Sequence, residues 1–315
     1  MSGKRNIAVD SLKGAAIITV VFGHIFRDGL SGLMIGEFGR WCVPAFFIIQ
    51  GFFLKRSMLS PLLGYSLKKI KRIYLPFLIW AMVYGIYFWL VDKASFTLSD
   101  IFLGRTAVHL YFIVYYMLFA LLLPLLYRLP PKARHWCYWL MILSNFAVLL
   151  TLELQRSYGL DFFTYTGVNP VKWWGFVAIG MLLGEYENVD YYIRQHRLKI
   201  AFIFAGLAVL GGVLPFLTGT LGYMYNRWTL FPLAIGGTFS LAAYFAREGV
   251  PGREVLAKLG RRSFSLYLSH FLVVHFLKYV LQIESLLVVT ILTMAIYLIS
   301  VPRGRLLGGL SRGRA

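Results

Sequence analysis

The sequence consists largely of apolar runs of about twenty residues, separated by shorter polar segments. A helix of that length crosses the roughly 30 Å hydrocarbon core of a membrane. Backbone polar groups inside a bilayer must be satisfied within the protein, which leaves helices and closed barrels as spanning structures. The runs predict an all-α, polytopic integral membrane protein with about ten transmembrane helices. The predicted spans are 6–27, 38–54, 73–91, 109–127, 136–152, 171–185, 200–217, 228–245, 263–281 and 285–302.

Charge and its distribution predict how the chain is oriented. Of the 315 residues, 59 % are hydrophobic and only 14 % are charged, whereas about 25 % are charged in soluble domains. The net charge of +19 would suit a nucleic-acid partner if it formed one surface. Most of the 32 Lys and Arg residues instead lie at the N-terminus and in alternate loops on the same side. The positive-inside rule therefore predicts that both termini are cytoplasmic, and we expect no nucleic-acid binding. Residues 1–315 are predicted to form a single transmembrane domain.

The first span contains three ionisable residues, Asp10, Lys13 and His24, which share one helix face at 100° per residue. Ionisable groups within a span are costly unless they face a protein interior or a wet cavity. This stripe is therefore a candidate catalytic site. Two simpler interpretations stay open. Asp10 and Lys13 would also form an i,i+3 ion pair at the membrane edge, and a lone intramembrane histidine is often a packing residue.

The densest basic run lies at the cytoplasmic mouth of the third predicted span. It contains Lys68, Lys69, Lys71 and Arg72. Such a group suits phosphate binding, to which arginine adds a fork of two parallel donors. The alternative is a topology signal attracted to anionic lipid, and the sequence alone favours this alternative.

Two further residues lie at the outer ends of spans, on the side where His24 also lies. Arg40 precedes the second span beside Trp41, and it is either a ligand-binding residue or an interfacial anchor. His109 begins the fourth span, so its ring is expected to approach that of His24. Tyr111 follows it, in a position also typical of an aromatic belt.

The remaining histidines and cysteines give no metal signature. His270 and His275 are five residues apart, about 140° around a helix, unlike the i,i+4 pair of HExxH zinc sites. Cys42 and Cys137 lie in different parts of the chain and form no CxxC motif. We therefore predict no metal site.

Together, several stretches resemble the membrane-bound acyltransferase 3 family, in the family's order. DSLKGAAIITVVFGH is similar to its Asp-x-Leu-Arg-Gly…His stretch, and VPAFFIIQGFFL to its Pro-x-Phe-Phe…Gly-Phe segment. KKIKRIYLPFLIW resembles its basic Arg-Ile-x-x-Pro element, HLYFIVYYML its His-Leu-Trp-Phe stretch, and RRSFSLYLSHFLVV its Ser-x-Tyr-Leu-x-His stretch. Lys13 and Gln50 stand where the family usually has arginine and serine. The nearest group within the family is the compact ten-helix one that acts on polysaccharides.

The resemblance implies an O-acyltransferase of the bacterial cytoplasmic (inner) membrane. It would move an acyl group, most often acetyl, from cytoplasmic acyl-CoA to a hydroxyl of a surface or exported polysaccharide or glycolipid. The expected partners are acyl-CoA, membrane lipid, a glycan or lipid-linked glycan acceptor and the polysaccharide synthesis machinery.

The resemblance also implies roles for the residues singled out above. His24 would act as general base or be acylated itself, with Asp10 and Lys13 along the path of the donor. The four basic residues of the cytoplasmic mouth would bind the CoA phosphates. The expected acceptor-binding residues are Arg40, His109, Tyr111 and His270.

Two other functional classes remain open at this stage. The first is a transporter of polysaccharide or small molecules, in which His24 and Asp10 relay protons. The sequence has no paired repeats with interrupted helices, which such transporters often have. The second is a non-catalytic partner of a polysaccharide synthase. Binding or slow hydrolysis of acyl-CoA would separate an acyltransferase from both.

Overall fold

The computed structural model describes residues 6–26, 29–59, 62–160 and 169–299. Within these ranges the chain is helical and has no β-strand. The α-helices are α1 (Ile7–Ile25), α2 (Gly29–Gly39), α3 (Cys42–Phe53), α4 (Leu62–Lys69), α5 (Leu75–Asp92), α6 (Leu98–Phe102), α7 (Tyr111–Leu122), α8 (Pro131–Tyr158), α9 (Val171–Gly184), α10 (Val189–Gln195), α11 (Arg197–Leu217), α12 (Leu230–Phe245), α13 (Arg253–Gly260), α14 (Ser263–His275) and α15 (Leu286–Ile299).

Each predicted span falls on a helix, and six stretches of the described chain are long and apolar enough to cross a membrane. These six are Ile7–Ile25, Gly32–Phe53, Leu62–Asp92, Tyr111–Arg128, Pro131–Tyr158 and Arg197–Leu217. The other four predicted spans fall on α9, α12, α14 and α15, which are shorter. The all-helical prediction is therefore confirmed for the described ranges, whereas ten crossings and cytoplasmic termini stay predictions. Residues 27 and 300–302, at the ends of the first and tenth predicted spans, lie outside the described ranges.

Helix α1 is the centre of the packing, in contact with α3, α12, α13, α14 and α15. Its closest neighbour is α13, which is possible because both helices have a glycine at the crossing. A Cβ on Gly14 would overlap the Leu256 carbonyl, and one on Gly260 would overlap the Asp10 carbonyl. The two glycines let the backbones approach closely, as small residues do at other interfaces between membrane helices. The contact fixes the backbone of Asp10 against α13.

Helices α3 and α9 also pack at backbone distance. Gly180 lies against the Ile48 carbonyl and Gly184 against the Phe52 carbonyl, while Gly51 lies against the backbone of α9. The small-xxx-small pair Gly180 and Gly184 predicts such a contact from the sequence, and the prediction is confirmed.

The outer faces of the bundle are apolar, the reverse of a soluble protein. Ile79 on α5, Leu140 on α8 and Phe202 on α11 are 59 %, 67 % and 77 % exposed. Exposed apolar area on this scale indicates a surface that faces lipid. The buried polar and charged side chains lie inside the bundle, where the site is built.

Candidate active site

A cavity of about 580 Å³ lies between α1, α3, α4, α7 and α14. Five of the six charged residues that line it are basic, so the cavity is electropositive. Its remaining walls are mainly aromatic and aliphatic. The charged lining residues are Asp10, Lys13, Lys68, Lys69, Arg72 and Arg261.

Asp10 and Lys13 form an ion pair and also line this cavity. The Lys13 Nζ lies 3.6 Å from the Asp10 carboxylate and 5.3 Å from the centre of the Phe53 ring. A second cation, Arg261 at the C-terminal end of α13, lies 4.0 Å from the same carboxylate. Asp10 is only 4 % exposed. The i,i+3 ion pair, which was one of the interpretations of Asp10 and Lys13 from the sequence, is therefore present and forms part of a cavity wall.

The basic run enters the cavity at a break in a helix. Between α4 and α5, residues Ile70–Tyr74 form a π-helical segment, a feature common at functional sites. Pro76 follows, and it cannot donate the i→i−4 hydrogen bond to the Arg72 carbonyl. Lys68, Lys69 and Arg72 line the cavity, whereas Lys71 is not part of the lining.

The far wall of the cavity is formed by two aromatic residues, Phe112 of α7 and Tyr267 of α14. Their ring centroids are 5.2 Å apart. Behind them, the Tyr267 hydroxyl donates a hydrogen bond to the backbone carbonyl of His109. The cavity thus ends at side chains that contact a cluster of histidines.

Three histidines from α1, α14 and the segment before α7 form this cluster. The His24 ring lies 5.1 Å from His270 and 6.1 Å from His109, and the last two are 4.8 Å apart. Phe271 packs against His24 and His109 at 5.0 and 5.3 Å. His109 and His270 are buried, whereas His24 is partly exposed. His24 is therefore the ring of the three most accessible to a ligand.

Hydrogen bonds fix the orientation of His270. Its Nδ1 lies 2.8 Å from the Tyr267 carbonyl, which can only accept, so Nδ1 is the protonated nitrogen. The buried Nε2 has no hydrogen-bond partner among the described residues. Tyr84 of α5 holds the helix on either side: its hydroxyl donates to the Leu268 carbonyl at 2.9 Å and accepts from the Leu272 amide at 3.0 Å. The neutral ring thus presents an acceptor nitrogen inside the cluster.

Arg40 lies in a separate buried charge cluster rather than beside the histidines. Its guanidinium is 3.4 Å from Glu37 and 5.4 Å from the ring centre of Tyr225. Glu37 also accepts from the fully buried Arg227 and, at 3.3 Å, from the Gly222 amide. These bonds hold the chain before α12 against α2.

Tyr111 connects the two clusters. It lies two residues after His109, and its ring centroid is 6.1 Å from that of Trp173. Trp173 in turn lies 5.3 Å from Tyr225, on which Arg40 rests. Ring contacts therefore link Tyr111, two residues after His109 in the chain, to the charged cluster.

Comparison with known families matches residues 6–302, a range that contains the cavity and both clusters, to the acyltransferase 3 family, described as an acyltransferase domain. The chain belongs to the acyltransferase 3 family. Neither a curated protein nor a solved structure gives a significant match. Membership supports a membrane acyltransferase in general and implies an acyl donor.

In this acyltransferase, the described residues contain no group of three or more His, Cys, Asp or Glu side chains arranged to hold a metal ion. Cys42 and Cys137 are free thiols. The three histidine rings are instead packed on their faces and edges among aromatic side chains.

Three residues of the candidate site were not predicted from the sequence. In the sequence, Arg261 is one of the basic residues that predict the orientation of the chain in the membrane. In the structure it faces Asp10 across the cavity. Tyr84 and Tyr267 are two of 20 tyrosines, and nothing local distinguishes them from a membrane belt. The sequence signal for Tyr267 is its place in the Ser-x-Tyr-Leu-x-His stretch, where it lies three residues before His270.

Proposed function

We propose that this protein is an acyl-CoA-dependent O-acyltransferase that transfers an acyl group, most simply acetyl, to a hydroxyl of a polysaccharide or glycolipid. The observation that carries the proposal is the electropositive cavity that ends at Tyr267, directly against the histidine cluster. The basic residues line one part of the cavity, and Tyr267, which also lines it, contacts His109 and His270.

The donor would bind with its phosphates at Lys68, Lys69 and Arg72, and Arg261 adds positive charge on the opposite wall. Guanidinium and ammonium groups form short, charge-assisted hydrogen bonds to phosphate oxygens. The narrow acyl-pantetheine arm suits the apolar part of the cavity, beside Phe112 and Tyr267. Lys13 and Asp10 lie along this path, so we assign them to contact with the donor rather than to proton transfer.

The chemistry is assigned to His24. Neutral imidazole accepts the proton of the acceptor hydroxyl as its oxygen attacks the thioester carbonyl. The tetrahedral intermediate then expels CoA as a thiolate, which takes up the proton held by His24. His270 and His109 surround the reacting ring, and the buried Nε2 of His270 can accept a hydrogen bond within the cluster. The alternative is an acyl-His24 intermediate: the imidazole attacks the thioester carbonyl and expels CoA thiolate, and the acceptor hydroxyl then attacks the acyl-imidazole, which releases His24 and gives the hydroxyl proton to the thiolate.

The acceptor would approach from the side of Arg40, along the aromatic side chains that include Tyr111. Aromatic faces and buried charged groups suit a sugar ring with its hydroxyls or an acidic substituent. The proposed setting is the bacterial inner membrane, next to the machinery that builds the polysaccharide.

The proposal is tested by incubating the detergent-purified protein with radiolabelled acetyl-CoA, with and without a mixture of lipid-linked glycans. We expect thioester loss and label transfer from the wild type. We expect at least a hundredfold slower transfer from His24→Ala. The matched control is His196→Gln, which removes a histidine that packs on Tyr192 outside the cluster.

Wild-type activity in His24→Ala would contradict the catalytic assignment. If folded wild-type protein neither binds nor turns over acetyl-CoA or longer acyl-CoAs, the transporter interpretation is favoured instead. Label that remains on the protein after rapid denaturation, and that depends on His24, would support the acylated intermediate.

A further inference from the structure

A second and larger cavity, of about 1050 Å³, lies on the other side of α1 from the donor cavity. It is bounded by the start of α1, the ends of α3, α9 and α12, and the starts of α11 and α13. Ile49 of α3 is the residue shared by the linings of the two cavities. The described residues of its lining include no histidine, so it has no group suited to the proposed reaction.

The polar part of this cavity carries an excess of positive charge. Four arginines and a single acidic residue, Glu248, are in its lining. Among the side chains that the structure describes, which do not include that of Asp190, no acidic group lies within salt-bridge distance of these guanidiniums. The four arginines come from different elements and converge on one space. They are Arg194, Arg197, Arg247 and Arg253.

Arg253 is held in place by the protein itself. Its backbone carbonyl accepts a 2.8 Å hydrogen bond from the Ser11 hydroxyl of α1. Its Nε is buried and has no hydrogen-bond partner among the described residues. A buried N–H donor without a partner is costly, and an anion in the cavity would supply the missing acceptor.

The inner part of the cavity is apolar, with one exception. Leu12, Ile48 and Phe239 are among its lining residues. The exception is Thr238, which is 2 % exposed and whose hydroxyl has no hydrogen-bond partner in the described chain. Threonine hydroxyls in helices commonly bond a carbonyl one turn earlier, so an unpaired one facing a cavity indicates a polar group of a ligand.

The mouth of the cavity lies next to an interfacial surface. Helix α10 supplies Val189, Ile193 and Arg194 to the lining, and its Tyr191 and Tyr192 are 68 % and 59 % exposed. Exposed tyrosines beside basic residues are typical of the lipid headgroup level. This position favours a ligand that comes from the membrane over a free anion from solution.

We propose that the second cavity binds an anionic phospholipid, with its phosphate at the four arginines and its acyl chains against the apolar wall. Arginine clusters with an adjacent apolar surface recognise anionic headgroups in this way. Such a lipid would pack between α1 and α12 and act as a structural ligand. The binding is independent of the acyltransferase reaction, and it is tested by a binding measurement rather than by turnover.

The test uses full-length protein, delipidated in an uncharged detergent and titrated with phosphatidylglycerol or with phosphatidylcholine of the same chains. Retained lipid is read by native mass spectrometry, and thermal unfolding gives an independent measure of binding. Inorganic phosphate alone is the third ligand. The variant is Arg197→Gln with Arg247→Gln. The matched control, Arg128→Gln with Lys199→Gln, removes the same charge from exposed residues outside the lining.

We expect phosphatidylglycerol to bind and stabilise the wild type and the control, and to bind the variant at least tenfold more weakly. Phosphatidylcholine and millimolar phosphate should not reproduce the effect. Equal binding of the two lipids, equal stabilisation by phosphate alone, or unchanged binding by the variant would overturn the proposal.

A second pair of variants keeps the test independent of surface charge. Ala242→Phe fills the apolar wall, and Thr238→Val removes only the unpaired hydroxyl. We expect Ala242→Phe to abolish retention of phosphatidylglycerol and Thr238→Val to weaken it several-fold. Lipid retention by a monodisperse Ala242→Phe protein at the wild-type level would place the lipid elsewhere and refute the site.

Discussion

The Tyr267 hydroxyl donates a hydrogen bond to the His109 carbonyl, and the same Tyr267 ring is part of the donor cavity wall. One side chain of α14 therefore contacts both the space assigned to acyl-CoA and the backbone that positions a histidine of the cluster. The arrangement places the cavity and the histidine cluster on opposite sides of one tyrosine.

Removing this hydroxyl should therefore affect turnover more than donor binding. Tyr267→Phe keeps the ring and loses one hydrogen bond, which contributes about 1 kcal/mol. We expect kcat to fall roughly fivefold, with the KM for acetyl-CoA unchanged. Steady-state kinetics check this. Tyr74→Phe is the control, because that hydroxyl also donates to a backbone carbonyl, that of Phe102, in an exposed position. An equal loss in both variants would argue against a role for Tyr267 in positioning.

The lining of the donor cavity predicts a difference between neighbouring lysines. Lys68→Gln should raise the KM for acetyl-CoA roughly fivefold and Arg72→Gln roughly tenfold, because each removes a phosphate contact. Lys71→Gln should change it less than about twofold, since Lys71 is outside the lining. Initial rates over a range of acetyl-CoA concentrations measure the three values. If all three substitutions raise the KM equally, the basic run attracts the donor through its overall charge and does not form a specific phosphate site.

The α1–α13 crossing predicts a steric effect on stability. A methyl group on Gly260 would overlap the Asp10 carbonyl, so Gly260→Ala must separate the helices. We expect it to lower the free energy of unfolding by about 1–3 kcal/mol and to lower the thermal midpoint in detergent. Gly206→Ala on α11 meets open space and should leave the midpoint equal or higher. A stable Gly260→Ala protein would mean that the crossing adjusts freely.

An ion pair at the end of α9 predicts a pH dependence of stability. Glu185 follows α9, outside the helix, and accepts hydrogen bonds from Arg134 at 2.6 and 3.2 Å and from the Tyr138 hydroxyl at 2.9 Å. Burial raises the pKa of Glu185, but these bonds outweigh burial and leave the pKa below its ordinary value. A carboxylate whose pKa is lowered by folding contributes its full stabilisation at pH values above its pKa in the unfolded chain, which is near 4.3 for Glu. This contribution is lost as the pH falls through the pKa of the folded state.

Glu185→Gln should therefore lower the free energy of unfolding by about 1 kcal/mol at pH 7, because it removes the charge on the acceptor. The difference from wild type should disappear as the pH falls below about 4. Thermal unfolding of both proteins across this range measures it, with exposed Glu187→Gln as the control. A difference that stays constant with pH would show that the charge of Glu185 does not contribute.

The sequence predicted the helices well because their signal is local. Apolar runs set the positions of α1, α5, α8 and α11, and the pair Gly180 and Gly184 predicted a close helix contact. Proximity between distant residues was harder to predict. The approach of His109 to His24 was expected from their positions at helix ends, and the rings are 6.1 Å apart. Arg40 was predicted to lie on the same side of the membrane as His24, but in the structure it forms an ion pair with Glu37 in a separate cluster.

What the sequence determined by itself is the class of the protein: an all-helical membrane chain. Bilayer energetics penalise charged residues within spans, so those in the first span were predicted to be candidate site residues. What only the tertiary structure decided is which of these residues form one cavity. Asp10 meets Arg261 from the other end of the chain, Lys68 lines the cavity where Lys71 does not, and His270 packs against His24. The physical reason is that helix periodicity fixes a face, whereas packing of the helices decides what that face contacts.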